Sequence, residues 1–133
     1  MRLTITAPLN NETAQTAVTS AQEVWNKGDV NEIASMFSIN CVWRDQLQHI
    51  KGRDSLIDHL TKKTRLSEHY KVQAHLWSHS KFKLVVSFQS EWKQAVSNNW
   101  FRNSGHVFVT LDERGTIKEF CMSSDNGISQ VTQ

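Results

Sequence analysis

Between Phe82 and Trp92 the chain alternates, with Phe82, Leu84, Val86, Phe88 and Trp92 on one side and Lys83, Gln89 and Glu91 on the other. A period of two marks a strand buried on one face, because successive side chains leave a pleated backbone in opposite directions. Before Tyr70 the apolar spacing is helical. After it come four runs, Tyr70 to Trp77, Phe82 to Trp92, Trp100 to Leu111 and Thr116 to Ser123. The turn-forming segments Ser78 to Lys81, Ala95 to Asn99 and Asp112 to Gly115 separate them. Runs joined by turns this short pair with their neighbours as an antiparallel meander. The expected class is therefore α+β, with helices first and a sheet second.

In the first half, Ala14, Ala17, Val18, Ala21, Val24 and Trp25 recur at helical spacing from Asn10 to Lys27, and Asn10 or Asn11 can cap the start. Gly28 ends that helix. Asp29, with Glu32 three residues on, starts a short second helix through Ile33, Met36 and Phe37. Cys41 to Asp45 reads as a short strand and Gln48 to Lys51 as its return. Gly52 then precedes a third helix, about Arg53 to Arg65, with Leu56, Ile57 and Leu60 as its buried stripe. A length of 133 residues suits one domain over residues 1–133, with an ordered core over about residues 10–127.

A formal charge of +2 is too small for the field that non-specific nucleic-acid binding requires, so no nucleic-acid partner is expected. Lys62, Lys63 and Arg65 read as cations complementing the carbonyl end of the third helix. No stretch approaches the roughly 20 apolar residues of a membrane span, and Met1 to Asn10 lacks the apolar core of a signal peptide. The expectation is no membrane partner and a cytoplasmic location. Cys41 and Cys121 follow no ligand spacing and read as reduced thiols. His75 and His79 would suit a metal ion on a helix, but they fall on strand and turn, so no metal is expected. With neither a phosphate-cradling glycine loop nor a dinucleotide fingerprint, no cofactor is expected either.

The local words are more specific: Val24-Trp25-Asn26, Val42-Trp43-Arg44-Asp45, Lys51-Gly52-Arg53-Asp54, Leu76-Trp77, Glu91-Trp92 and Trp100-Phe101-Arg102 with Gly105 beyond. In this order and length the chain resembles the nuclear transport factor 2-like (SnoaL-like) superfamily of cyclases, ketosteroid isomerases and scytalone dehydratases. It is most similar to a bacterial branch classed as a domain of unknown function, over roughly Glu12 to Asn126. The resemblance implies a cystatin-like roll, in which a cone-shaped curved sheet packs against about three N-terminal helices around a pocket. It also implies a homodimer formed through the sheet. The chain departs from that branch at Asp45, where Asn is usual, and at His75, where Glu is usual. It departs again at Asn103 to Val107 and at Met122 to Asn126, so the branch's pocket polarity does not transfer directly.

Asp45 follows Trp43 at a strand end near the expected pocket mouth. In ketosteroid isomerase-like members an aspartate in the corresponding segment removes a proton beside a carbonyl, and the resemblance gives Asp45 that general-base role by position. Such a base needs an apolar setting that raises its pKa. The plainer reading pairs Asp45 with Arg44, Arg53 or solvent. Arg102 and His106 share strand parity with Trp100 and are expected to point together into the cone, where they would polarise a substrate oxygen. The plainer reading has Arg102 bridging to Glu91 or Asp125, with His106 a wall residue. Trp43, His49, Trp77, Trp92, Trp100 and Asp125 complete the candidate ligand-binding set, although tryptophans more often fill cores. The expected function is binding of a small apolar molecule, with cofactor-free isomerase, cyclase, dehydratase or hydrolase chemistry on a carbonyl or ring compound. The alternative is a non-catalytic ligand-binding or dimeric interaction module.

Overall fold

A computed structural model describes residues 5–131. The elements are α1 (Asn11–Lys27), α2 (Val30–Ala34), β1 (Phe37–Arg44), β2 (His49–Lys51), α3 (Arg53–Leu66), β3 (Ser67–His79), β4 (Lys83–Gln94), β5 (Trp100–Leu111), β6 (Ile117–Ser124) and β7 (Ser129–Gln130). Asn10 caps α1, accepting the Thr13 backbone N–H at 2.8 Å, and Gly28 closes it in the left-handed conformation at φ 72°. Asp29 Oδ1 accepts the backbone N–H groups of Asn31 and Glu32 and so begins α2.

The strands form one sheet in the order β2-β1-β6-β5-β4-β3, with β7 added beside β5. All pairs are antiparallel except β1 with β6, which makes the sheet mixed. The β3-β4-β5-β6 meander is the one that the alternation predicts. The expected second helix is shorter in the structure: α2 stops at Ala34, and Phe37 instead opens β1 opposite Ile117. That long-range pairing outweighs the helical spacing of Met36 and Phe37 with Ile33. The segment before Asn10 also packs, since Ile5 and Leu9 are buried in the core. Residues 1–4 of the Met1 to Asn10 segment lie outside the described residues.

One face of the sheet is concave and covered by α1 and α3, with α2 packed against both helices. Its core is aromatic: the Phe120 ring stacks on Trp43 at 4.3 Å and on Trp25 at 5.7 Å, and Phe37 packs edgewise against Trp25 and tilted against Phe120. Gly105 on β5 permits this closure, because a Cβ there would sit 1.9 Å from the carbonyl oxygen of Ser123 on β6. On the free edge of β3, Asn26 from α1 accepts the Val72 N–H at 2.7 Å and donates to the Val72 carbonyl at 3.0 Å. Gln22 accepts the Ala74 N–H at 2.7 Å. Two helical side chains thus stand in for the strand that the edge lacks. Cys41 is buried in the core, whereas Cys121 pairs with the exposed Phe108 on the opposite face, and both thiols are free. No helix among the described residues is long and apolar enough to cross a membrane.

Candidate functional site

Small residues on one side of α1 and alternating aliphatic residues on β3, β4 and β5 leave a gap that neither side fills. Ala17, Val18 and Ala21 face Val72, Ala74, Leu84, Val86, Phe88, Val107 and Val109 across a chamber of about 100 Å³. Gln22 and Tyr70 bring polar atoms to its wall. The Gln22 amide oxygen accepts the Ala74 N–H, and the Ser90 side chain lies beside the Tyr70 hydroxyl. Burial pushes the Tyr70 phenol up to about 12, partly offset by Ser90.

Trp25, Tyr70 and Met122 also line a second cavity of about 320 Å³, bounded by Trp43, Leu60, Lys63, Thr64, Ser67 and His69. The two spaces form an apolar chamber behind a more polar antechamber. The larger is within the range of about 300–1,000 Å³ that small-molecule sites occupy.

Asp45 lies just past β1, behind Trp43. Its Oδ2 accepts the Trp43 indole N–H at 3.1 Å, and its Oδ1 accepts the Leu47 and Gln48 backbone N–H groups at 2.8 and 2.9 Å. Burial works to raise the carboxyl's pKa. The three hydrogen bonds and the Lys63 charge outweigh it, so Asp45 is held below the usual carboxylate value. A general base in a dry pocket needs surroundings that raise its pKa, whereas the hydrogen bonds around Asp45 favour the carboxylate. The expected partners Arg44 and Arg53 are elsewhere: Arg44 faces His49, and Arg53 donates to the Phe37 carbonyl.

His59 and Lys63, one helical turn apart on α3, feel the Asp45 charge. Burial lowers the His59 pKa, helped by Lys63 and opposed by Asp45. Burial also lowers that of Lys63, opposed by Asp45. The His59 ring packs 5.7 Å from Trp43, and its Nε2 is buried without a hydrogen-bond partner among the described residues.

The β5 candidates share a face, but not the concave one. Phe101, Asn103, Gly105, Val107 and Val109 point inward, which puts Trp100, Arg102, Ser104 and His106 on the convex side. There His106 packs 4.8 Å from the Trp77 ring, and its Nδ1 is 3.7 Å from Asp125 Oδ1. Arg102 sits opposite Glu91 and is exposed. Trp100 stacks on His69, and Trp77 is 70% exposed. Trp92 is on the inner face beside Tyr70 and Phe101. Trp43 is core, at 1% exposure. His49 is exposed on β2, outside the cone. His79 contacts Asn11 while His75 faces Ser87, so the two imidazoles serve different partners.

The sequence reading passed over Tyr70, His59 and the cavity-facing role of Lys63. A signal for Lys63 is its position seven residues after Leu56 and three after Leu60, where an apolar stripe would continue.

Comparisons with known proteins agree with this architecture. The sequence profile described as "Protein of unknown function (DUF1348)" matches residues 7–132. Nothing among functionally curated proteins matches the chain. The epoxide hydrolase/cyclase-like enzyme SalBIII, described in pyran ring formation in polyether salinomycin, superposes with a TM-score of 0.79 at 16% identity, covering 92% of this chain and 98% of that one. BvnE pinacolase from Penicillium brevicompactum gives 0.74 at 16% identity, over 86% and 87% of the two chains. The Delta 5-3-ketosteroid isomerase from Mycobacterium sp. gives 0.74 at 11% identity, over 89% and 98%. Likeness at such identities speaks for the fold alone. The chain belongs to the DUF1348 family and has the nuclear transport factor 2-like fold.

Proposed function

We propose that this chain binds a small, largely apolar compound in the cone and carries out cofactor-free acid–base chemistry on it. Isomerisation, cyclisation, dehydration or hydrolysis of a carbonyl or ring compound fits this reading. One observation carries it: an apolar chamber opens into an antechamber whose wall holds Lys63, with His59 and Asp45 behind it. The chamber takes the hydrocarbon part and the antechamber the oxygen function.

The hydrogen bonds on Asp45 favour a supporting role over that of proton acceptor. It fixes Trp43 and sets a negative charge near Lys63 and His59. Arg102 and His106 then belong to a second feature, the convex sheet face, where Trp77 and Phe108 are exposed. An exposed aromatic patch of this kind supports the homodimer that the family resemblance implies.

The test is thermal unfolding against small steroids, aromatic aldehydes and acids, and polyketide-like rings. A compound at 100 times its dissociation constant adds about 2.7 kcal/mol, or roughly 10 °C for a chain of this size. An Ala74→Phe variant, which fills the chamber, should abolish that shift. If no compound shifts the wild-type transition, or if the shift survives in Ala74→Phe, the pocket reading fails. A shift with no turnover of any bound compound would select the non-catalytic binder.

A further inference from the structure

Two lysines line the antechamber, and they differ. Lys27 is exposed and has Glu32 as an ion-pair partner at 3.9 Å. On α3 the neighbouring Lys62 also has a partner, Asp58 at 3.6 Å, and points to solvent. Lys63 has no carboxylate within ion-pair distance among the described residues. Its nearest anion, Asp45, is tied to Trp43, Leu47 and Gln48 and is not free to swing onto it.

Lys63 continues the buried stripe of Leu56 and Leu60, so the helix aims its stem at the cone. Although the residue as a whole is exposed, it lines both the antechamber and the outer cleft between α3 and β2. An amine placed between solvent and the antechamber of an apolar cavity is a means of capturing a carbonyl carbon.

We propose that Lys63 condenses with small apolar aldehydes or ketones bound in the cone, forming an imine. The inference deepens the pocket reading above and rests on it. The neutral amine nitrogen attacks the carbonyl carbon, and the π pair of the C=O bond moves to oxygen. A proton passes from nitrogen to that oxygen and gives the carbinolamine. The carbinolamine hydroxyl takes up a proton, the nitrogen lone pair forms C=N as the C–O bond breaks and water leaves, and the iminium nitrogen gives its remaining proton back to solvent. No oxidant or reductant is consumed.

The surroundings suit each part. Where the ammonium tips into the antechamber, burial lowers the Lys63 pKa and Asp45 opposes the shift, a net direction that favours the neutral amine. His59, one turn earlier on the same helix, is biased toward the neutral imidazole and lines the outer cleft that Lys63 also borders. Lys27, His69 and Tyr70 are the other titratable groups that line the antechamber.

The experiment uses benzaldehyde with sodium cyanoborohydride, which reduces an imine to a stable benzylamine, followed by peptide mass mapping. Lys63 is expected to gain a benzyl group at least tenfold faster than Lys62 or Lys27. The Lys63→Arg variant should lose the fast label, and Lys62→Arg should keep it. Labelling of Lys63 no faster than that of Lys62, in a folded sample, overturns the proposal. Benzyl alcohol, the same ring without a carbonyl, separates the two failures. If it raises the melting temperature while Lys63 stays unlabelled, the pocket stands and the imine is refuted. If it gives no shift and Lys63 stays unlabelled, both are refuted.

Discussion

Replacing Asp45 with Asn keeps the shape of the side chain and changes one oxygen into a donor. The best remaining arrangement leaves the amide oxygen on Leu47 and Gln48, satisfying two backbone groups, and points the NH₂ at the Trp43 indole N–H. That indole belongs to a residue with 1% exposure, so it becomes a buried donor facing a donor. Stranding such a group costs about 1–3 kcal/mol. With an unfolding entropy of about 2.1 cal/mol/K per residue, 133 residues convert this into a fall of roughly 4–11 °C in melting temperature at neutral pH.

The pH dependence gives an independent check. The folded pKa of Asp45 is depressed, so its contribution is fully present above the unfolded value near 3.8 and is lost as pH falls through the lower folded value. The gap between wild type and Asp45→Asn must therefore narrow in acid. Differential scanning calorimetry between pH 2.5 and pH 7 measures both. A variant that matches wild type at pH 7, or a gap that widens in acid, refutes the reasoning.

Tyr70 is the chain's one tyrosine, so absorbance at the phenolate band reads it alone. Its pKa is raised to about 12 in the fold, so its contribution is complete below the unfolded value near 10 and is lost as pH rises through the folded one. Phenolate appearing at pH 10 in a folded sample would contradict the buried environment. On the convex face, Trp77→Ser should shift sedimentation at micromolar concentration from dimer toward monomer while leaving the circular dichroism unchanged. A wild-type monomer, or a dimer indifferent to the change, would remove that face from the assembly.

The meander was legible because each of its strands carries its own period and its own turns. Asn10, Gly28 and Asp29 were legible as caps because capping is local chemistry. The boundary between α2 and β1 was not, since Phe37 becomes a strand residue only by pairing with Ile117, far along the chain. The two-residue β7 offers no pattern to read. On β5 the parity was correct and the side was not. Trp100 and Phe108 on one face compete with Phe101, Val107 and Val109 on the other, and alternation does not say which set meets α1. Asp45 was found by position, but its partners are backbone groups of its own turn, and sequence spacing carries no sign of whether they satisfy it. Lys63 was legible as a helix-end cation and equally as an interruption of an apolar stripe. Only the presence of a cavity separates the two.

The amide clamp of Gln22 and Asn26 on β3 makes α1 both the roof of the chamber and the guard of a bare strand edge. Swinging that helix aside to admit a guest would present Val72 and Ala74 as a template for a foreign strand. With the clamp closed, the chamber still shares the walls of Trp25, Tyr70 and Met122 with the cavity beside α3 and the start of β3. Substitutions that loosen α1 would then declare themselves first as precipitation, before any loss of binding is noticed.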